Sequence, residues 1–299
     1  MLYLFDCRVF FTRTDVHFAR KRFSGADRRA AVFGLGGGAF PDDKGGRAAG
    51  PGLGRSRAGK REEDAAMTDD ARIADVLSQV TTATITTILL KKGLRNVWLR
   101  GTRPLRPGQP RRVGRAFTLR FVPAREDLAT PESWSSPKST RAAIEAMPEG
   151  CIAVVDAMGV TDAGIFGDIL CARMQKKGVA ALVTDGVVRD LAGVLAAGLP
   201  VWCQGAAAPP SVAGLTFVNW QEPIACGGVA VYPDDLIVVD DDGAVLVPAA
   251  LAEEVATLGP EQERFESWIM GEVQAGAALP GLYPPNAENK ARYEAARRG

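Results

Sequence analysis

The sequence predicts an α/β protein in which a parallel βαβαβ unit is flanked by antiparallel strands, and three observations carry that prediction. Between Cys151 and Gly205, short apolar runs alternate with helical stretches across brief connections, a rhythm that implies parallel strands joined by right-handed crossovers. Beyond Gly205 the texture changes to short alternating runs, "GLTFVNW" and "GGVAVYPDDLIVVDDDGAVLVP", which suit antiparallel hairpins. The 299 residues are 46% hydrophobic, enough for a sizeable core in one large domain or two ordinary ones.

Taken from the amino terminus, residues 1–66 stand apart. They hold 13 Lys/Arg against 8 Asp/Glu and 11 of the 33 glycines, leaving 23 basic against 27 acidic residues in the remainder. Low apolar periodicity with that composition predicts a disordered extension rather than a nucleic-acid arm or targeting peptide. "GLGGG" at Gly34 to Gly38 lacks the preceding strand and following helix of a phosphate loop. Met67 followed by "TDDARIADVL" reads as a natural beginning, since Thr68 or Asp69 can cap an amphipathic helix. Residues 67–299 are therefore expected to form a single domain with a helical carboxyl-terminal tail.

Helical pattern covers Ile73 to Leu90, interrupted by "TTATITT", where β-branched residues lower helix propensity. Gly93 ends it. "RGTRPLRPGQPRRVG" is a surface connection, "RAFTLRFVP" a strand by alternation, and "STRAAIEAMPEG" a short helix stopped by Pro148 and Gly150. The parallel unit follows: strand "CIAVVD", helix "DILCARMQKKG", strand "VAALVTDG", helix "DLAGVLAAG" and strand "LPVWCQG". "DDDG" at Asp240 to Gly243 marks a hairpin turn. "LAEEVATL…ERFESWIMGEV" is amphipathic helix, and "GLYPPNAENKARYEAARRG" a Pro-broken tail with a last short helix.

No apolar run approaches the roughly 18 to 20 residues that cross a bilayer, so no membrane partner is expected and the cytoplasm is the expected location. The five cysteines form no CxxC pair, which argues against a zinc knuckle or disulfide framework and for small buried hydrophobes.

In open parallel sheets, ligands bind at the carboxyl ends of the strands, where loops meet helix amino termini. Those ends carry Asp156, Asp185 and Arg189-Asp190, while Asp168 opens the intervening helix. Asp168 and Asp190 are expected at one edge of the sheet, each beside a helix amino terminus and its free N–H groups. Gly164 and Gly167 let the backbone approach a bound anion. The only histidine is His17, so nothing after Met67 supports Ser-His-Asp or Cys-His catalysis or histidine-ligated zinc. Carboxylates suit Mg²⁺ or Mn²⁺, and an arginine grips a carboxylate in a two-pronged fashion. A hard metal beside an arginine suits a small 2-oxo acid, whose ketone the metal polarises and whose acid group the arginine holds. Against this, an Asp at a helix start is often only a cap and "DG" only a turn. Asp156 and Asp162 stay balanced between structural and functional readings.

"GIFGDILCARMQKKGVAALVTDGVVRD" resembles the hallmark segment of the RraA-like family, which includes 4-hydroxy-4-methyl-2-oxoglutarate (4-carboxy-4-hydroxy-2-oxoadipate) aldolases, class II pyruvate aldolases. Aldolase members carry Asp, twenty residues, then Arg-Asp; Asp168, Arg189 and Asp190 match. The similarity runs from about Met67 to Pro248. The resemblance implies a swivelling β/β/α fold, assembled as homotrimers or homohexamers with sites between subunits. It implies Asp190 as the direct ligand of Mg²⁺ or Mn²⁺, Asp168 as a ligand through water, and Arg189 binding the pyruvyl group. Backbone around Gly167, Ile169 and Leu170 would contact the substrate carboxylate. Such enzymes cleave 4-hydroxy-2-oxo acids to pyruvate and a second carbonyl compound and commonly decarboxylate oxaloacetate, both through a pyruvate enolate. Where the family often has Pro-Gly-Asp, this chain has Pro233-Asp234-Asp235, so that turn is expected to differ.

The resemblance leaves other readings open. Some relatives bind ribonuclease E and inhibit RNA processing without chemistry of their own, and as a rule they lack the full Asp…Arg-Asp set. A quinone-pathway methyltransferase would need a glycine-rich loop after a first strand, which "VVDAMGVTDAG" does not supply. An inactive scaffold oligomer would bind no metal.

Overall fold

The computed structural model describes residues 69–298; the reading of residues 1–66 lies outside them. Helix α1 (Asp69–Leu77) and helix α2 (Thr82–Lys91) meet at a bend of 108°. The expected interruption is present, but it precedes the β-branched stretch, and "TATITTILLK" is helical. The cause is its amino terminus. Thr81 Oγ1 accepts from the Thr84 N–H, and Asp240 accepts from both the Thr82 N–H at 2.8 Å and the Thr82 hydroxyl at 2.7 Å. Capping of this kind contributes about 1 kcal/mol, and tertiary burial of Ile85, Ile88 and Leu89 does the rest.

The predicted surface connection contains two short strands, β1 (Trp98–Leu99) and β2 (Arg103–Pro104). Strand β3 (Arg112–Pro123) is longer than the alternation suggested. A 3-10 turn (Pro131–Ser135) and helix α3 (Thr140–Ala146) follow. The parallel unit is β4 (Ile152–Asp156), α4 (Asp168–Lys176), β5 (Ala181–Thr184), α5 (Leu191–Ala197) and β6 (Val201–Cys203). After it come β7 (Leu215–Trp220), β8 (Ile224–Cys226), β9 (Val229–Val231), β10 (Leu236–Asp240) and β11 (Gly243–Val247). Helices α6 (Ala252–Gln274) and α7 (Ala287–Arg298) close the chain.

The main sheet has the order β1-β11-β10-β3-β4-β5-β6-β2, with β7 also on β3. Strands β3, β4, β5 and β6 pair in parallel, and the flanking pairs are antiparallel. The predicted class and the βαβαβ unit are both present. Strand β4 shows why its sequence is a continuous apolar run: Ala153 and Val155 pack on the side of α3, α4 and α5, while Ile152 and Val154 face the β8–β9 hairpin. A third cluster lies under α1, α2 and α6. Among the described residues no single helix is long and apolar enough to cross a membrane. Cys151, Cys171, Cys203 and Cys226 are free and buried, as expected.

The Pro233-Asp234-Asp235 turn has a plain physical solution. Asp234 adopts φ 69°, the left-handed conformation that a glycine would take without cost. Asp235 then accepts from the Tyr232 and Ala249 N–H groups, each at 3.0 Å.

Candidate active site

The carboxyl edge of the parallel unit is built from two loops pressed side by side. The Ile165 N–H donates to the Val187 carbonyl and the Arg189 N–H to the Phe166 carbonyl, both at 2.9 Å. This stitching brings the residue before α4 against the residue before α5. Glycine leaves room where they meet: a Cβ on Gly167 would lie 2.7 Å from Asp190 Oδ2, and one on Gly193 would lie 2.6 Å from the Asp168 Cβ. Gly167 therefore makes room for one carboxylate, and Gly193 lets helix α5 approach the base of the other.

A cleft of about 400 Å³ opens at this edge, and Gly164, Gly167, Asp168, Ile169, Leu170, Arg189 and Asp190 all line it. The residues singled out from the sequence thus come together in one place. Asp156, Asp185 and Asp162 do not line the cleft. Asp185 is buried, with its two oxygens accepting from the Ala157 N–H at 2.8 Å and the Gly227 N–H at 3.0 Å. Asp156 is buried beside it and accepts from the Met158 and Ala225 N–H groups. Together they tie the ends of β4 and β5 to the β8–β9 hairpin, which is a structural task. Burial raises the Asp185 carboxyl above its usual range against the pull of those N–H donors, and the neighbouring Asp156 charge adds to the rise.

Asp168 and Asp190 do not serve as ordinary caps. Gly167 is the residue capping α4, and Asp168 begins the helix itself, accepting from its own neighbour's Ile169 N–H at 2.7 Å. Asp190 occupies the cap position of α5 but makes no capping hydrogen bond. Its φ of 53° and ψ of 49° are left-handed, a conformation that costs most non-glycine residues about 1 to 2 kcal/mol and aspartate somewhat less. Instead of capping, its carboxylate turns to Arg189, whose Nε donates to Oδ2 at 3.1 Å. The Asp190 side chain is 48% exposed. The expected stabilisation of both acids by free helix N–H groups is corrected accordingly: Asp168 takes one such group and Asp190 none.

Two carboxylates stand at one cleft, oxygen donors that fit a hard divalent ion which keeps several waters; among the described residues no third acid, histidine or cysteine groups with them. Cys171 on α4 is buried and does not line the cleft, and burial pushes its thiol up to about 12.

Sequence reasoning missed part of the cleft. Trp134, Thr140, Arg141, Pro210 and Ser211 also line it. Trp134 and Arg141 lie upstream on the 3-10 turn and α3, and no local pattern there marks a site; only the crossover from β3 to β4 brings them to this edge.

Comparison with known proteins bears on the fold that carries this cleft. A family model described as RraA-like, Aldolase/RraA, matches residues 71–246. A protein from Halalkalibacterium halodurans, provisionally named 4-hydroxy-4-methyl-2-oxoglutarate aldolase, is 37% identical over 116 residues, covering 38% of this chain and 54% of that protein. One from Ectopseudomonas mendocina with the same provisional name is 32% identical over 105 residues, covering 35% of this chain and 64% of that protein. The chain thus aligns with less than two thirds of the length of these relatives. The crystal structure of Streptomyces coelicolor RraAS2, described as an unusual member of the RNase ES inhibitor RraA protein family, is 36% identical with a TM-score of 0.60, covering 67% of this chain and 96% of that one.

Proposed function

The chain belongs to the RraA-like family, and on that premise we propose that it is a divalent-metal-dependent lyase that cleaves 4-hydroxy-2-oxo acids to pyruvate and decarboxylates oxaloacetate. The observation that carries the reading is the convergence of Asp168, Arg189 and Asp190 in one cleft, with Asp190 held in a costly backbone conformation and its carboxylate unused as a cap. Strain of this kind points toward function when the surrounding structure holds it in place.

Asp190 would hold Mg²⁺ or Mn²⁺ directly and Asp168 through water. When bound, the ion supplies Lewis-acid polarisation of the substrate ketone. The protein's own residues do the rest. Arg189 uses Nε on Asp190, and its terminal nitrogens have no hydrogen-bond acceptor among the described residues, so they are free to grip the substrate's C1 carboxylate. The amino terminus of the nine-residue α4 adds N–H donors at Leu170 and a favourable dipole for that anion. In both reactions the C3–C4 bond breaks and its electron pair moves toward the C2 ketone. In the aldol cleavage the 4-hydroxyl gives its proton to solvent water and becomes the second carbonyl; in the decarboxylation CO₂ leaves and solvent supplies the proton taken up later. Protonation at C3 then gives pyruvate in either case.

Exposed apolar residues beside the cleft, Ile169 at 78% together with Leu191 and Leu195, support a homotrimer or homohexamer in which a neighbouring subunit covers this edge. The test is pyruvate release from oxaloacetate and from 4-hydroxy-4-methyl-2-oxoglutarate, with and without EDTA, in wild type, Arg189→Ala and Asp190→Ala. Loss of activity on chelation and in both variants is expected. Activity indifferent to EDTA and to Asp190→Ala would refute the reading. The likeness to RraAS2 favours a second reading, a regulator that binds ribonuclease E. Binding to that enzyme at an affinity untouched by Asp190→Ala, in a protein without lyase activity, would establish it instead.

A further inference from the structure

Two guanidinium groups line the cleft, and they stand in opposite electrostatic situations. Arg189 is paired with Asp190. Arg141 has no carboxylate within ion-pair distance among the described residues; its one side-chain hydrogen bond there is a long one, 3.4 Å, to the Thr140 hydroxyl. Its guanidinium carbon lies 4.7 Å from the centre of the Trp134 ring. Partial burial, with no acid to offset it, lowers the Arg141 pKa from its ordinary value. A partly desolvated cation without an acid partner, on the wall of a ligand-sized cleft, is placed to receive an anion.

The stacking explains how Arg141 is held and leaves open what it holds. A guanidinium over an indole face contributes about 0.5 to 1 kcal/mol, and it fixes the plane of the fork while leaving the N–H edge exposed. Such a pre-organised fork binds a carboxylate in a two-pronged way with little further loss of side-chain freedom. Trp134 and Arg141 belong to the segment before β4, whereas Asp168, Arg189 and Asp190 belong to the loops after β4 and β5. The cleft therefore has two walls of different origin, each bearing a guanidinium.

We propose that Arg141, laid on Trp134, binds an acid group at the far end of the substrate and so makes the site selective for dianionic over monoanionic 2-oxo acids. This rests on the reading that the pyruvyl end sits at Asp168, Arg189 and Asp190. Arg141 is a specificity-determining binding residue for the aldol substrate in this account: there the far acid group lies one carbon beyond the C3–C4 bond, and Arg141 takes no part in breaking it.

The test uses two ligands that differ only at that far end and that carry no 4-hydroxyl. 2-Oxoglutarate ends in a carboxylate; 2-oxopentanoate, of the same chain length, ends in a methyl group. Dissociation constants are measured by calorimetry with saturating Mg²⁺ for wild type, Arg141→Met and Arg141→Lys, with thermal unfolding of each as a folding control. Wild type is expected to prefer 2-oxoglutarate on the order of tenfold or more, the scale of a charge-assisted hydrogen bond. Arg141→Met brings the ratio near one, and Arg141→Lys, which keeps the charge without the fork, leaves an intermediate ratio. A wild-type ratio near one, a ratio preserved in Arg141→Met, or failure of both ligands to bind overturns the proposal. Because binding is read without turnover, a preference that depends on Arg141 in a protein without lyase activity would sink the proposed reaction and leave this dianion site standing.

Discussion

Replacing Gly167 by alanine isolates the contribution of one carboxylate. The backbone at Gly167 has φ −107° and ψ −171°, extended values that alanine adopts freely, so nothing in the main chain resists the change. The added Cβ would stand 2.7 Å from Asp190 Oδ2 and 3.3 Å from Arg189 Cγ, where ordinary contact begins at 3.4 Å. The carboxylate must then retreat by about 0.7 Å. It can do so cheaply, because it is the far end of a side chain that is 48% exposed. Folding is accordingly expected to stay level or to gain up to about 1 kcal/mol from the stiffer unfolded chain, which corresponds to roughly 0 to 4 °C in Tm.

The site should respond very differently. Displacements near 1 Å at a reacting centre cost about a hundredfold, so a shift of this size predicts about a ten- to hundredfold fall in kcat/KM, or about 1.4 to 2.7 kcal/mol. Mg²⁺ affinity measured by calorimetry should weaken in parallel. Unchanged Mg²⁺ affinity and unchanged turnover would refute the placement of Asp190 at the ion. A Tm lowered by several degrees would refute the claim that the damage is confined to one carboxylate.

Gly193→Ala, by contrast, brings Cβ against Cβ, 2.6 Å from Asp168, where no side-chain rotation relieves the clash; despite alanine's better helix propensity, a loss of about 1 to 3 kcal/mol is expected in urea unfolding. Asp190→Gly should be more stable than Asp190→Ala by about 1 kcal/mol, because φ 53° suits glycine, while both lose metal-dependent activity; equal Tm values would show that the left-handed backbone carries no cost. Asp185→Asn replaces one acceptor with a donor facing a backbone N–H and should cost about 1 to 3 kcal/mol. Since burial raises the Asp185 carboxyl, its contribution is full below the usual carboxylate value and declines as pH rises through the folded value. The gap between wild type and Asp185→Asn should therefore narrow with rising pH, and a gap that widens would contradict the direction of the shift.

The parallel unit was legible because each strand is a short apolar run buried on both faces, a pattern that Ile152–Asp156 and Ala181–Thr184 show without interruption. The edge at which Asp168 and Asp190 meet was legible for the same reason, since parallel strands place all their following loops on one side. The bend before α2 was placed too late because the decisive cap comes from Asp240, 158 residues away. Trp134 and Arg141 were invisible as site residues because they reach the cleft only through tertiary packing.

The acids themselves carry the sharper lesson. In the sequence, Asp156 and Asp185 at strand ends look no different from Asp168 and Asp190 at helix starts. In the fold, each of the first pair is buried with backbone N–H donors on its oxygens, so its chemistry is already consumed in holding loops. Asp190 has no backbone N–H donor capping α5, a left-handed backbone, and the Arg189 Nε–H as the donor to its carboxylate. A buried acid satisfied by main-chain donors offers nothing to a ligand, whereas a half-exposed acid held in a costly conformation has a carboxylate still to be used. The separation between structural and candidate functional aspartates follows from where their hydrogen bonds go, and that is a property of backbone packing which residue spacing alone does not encode.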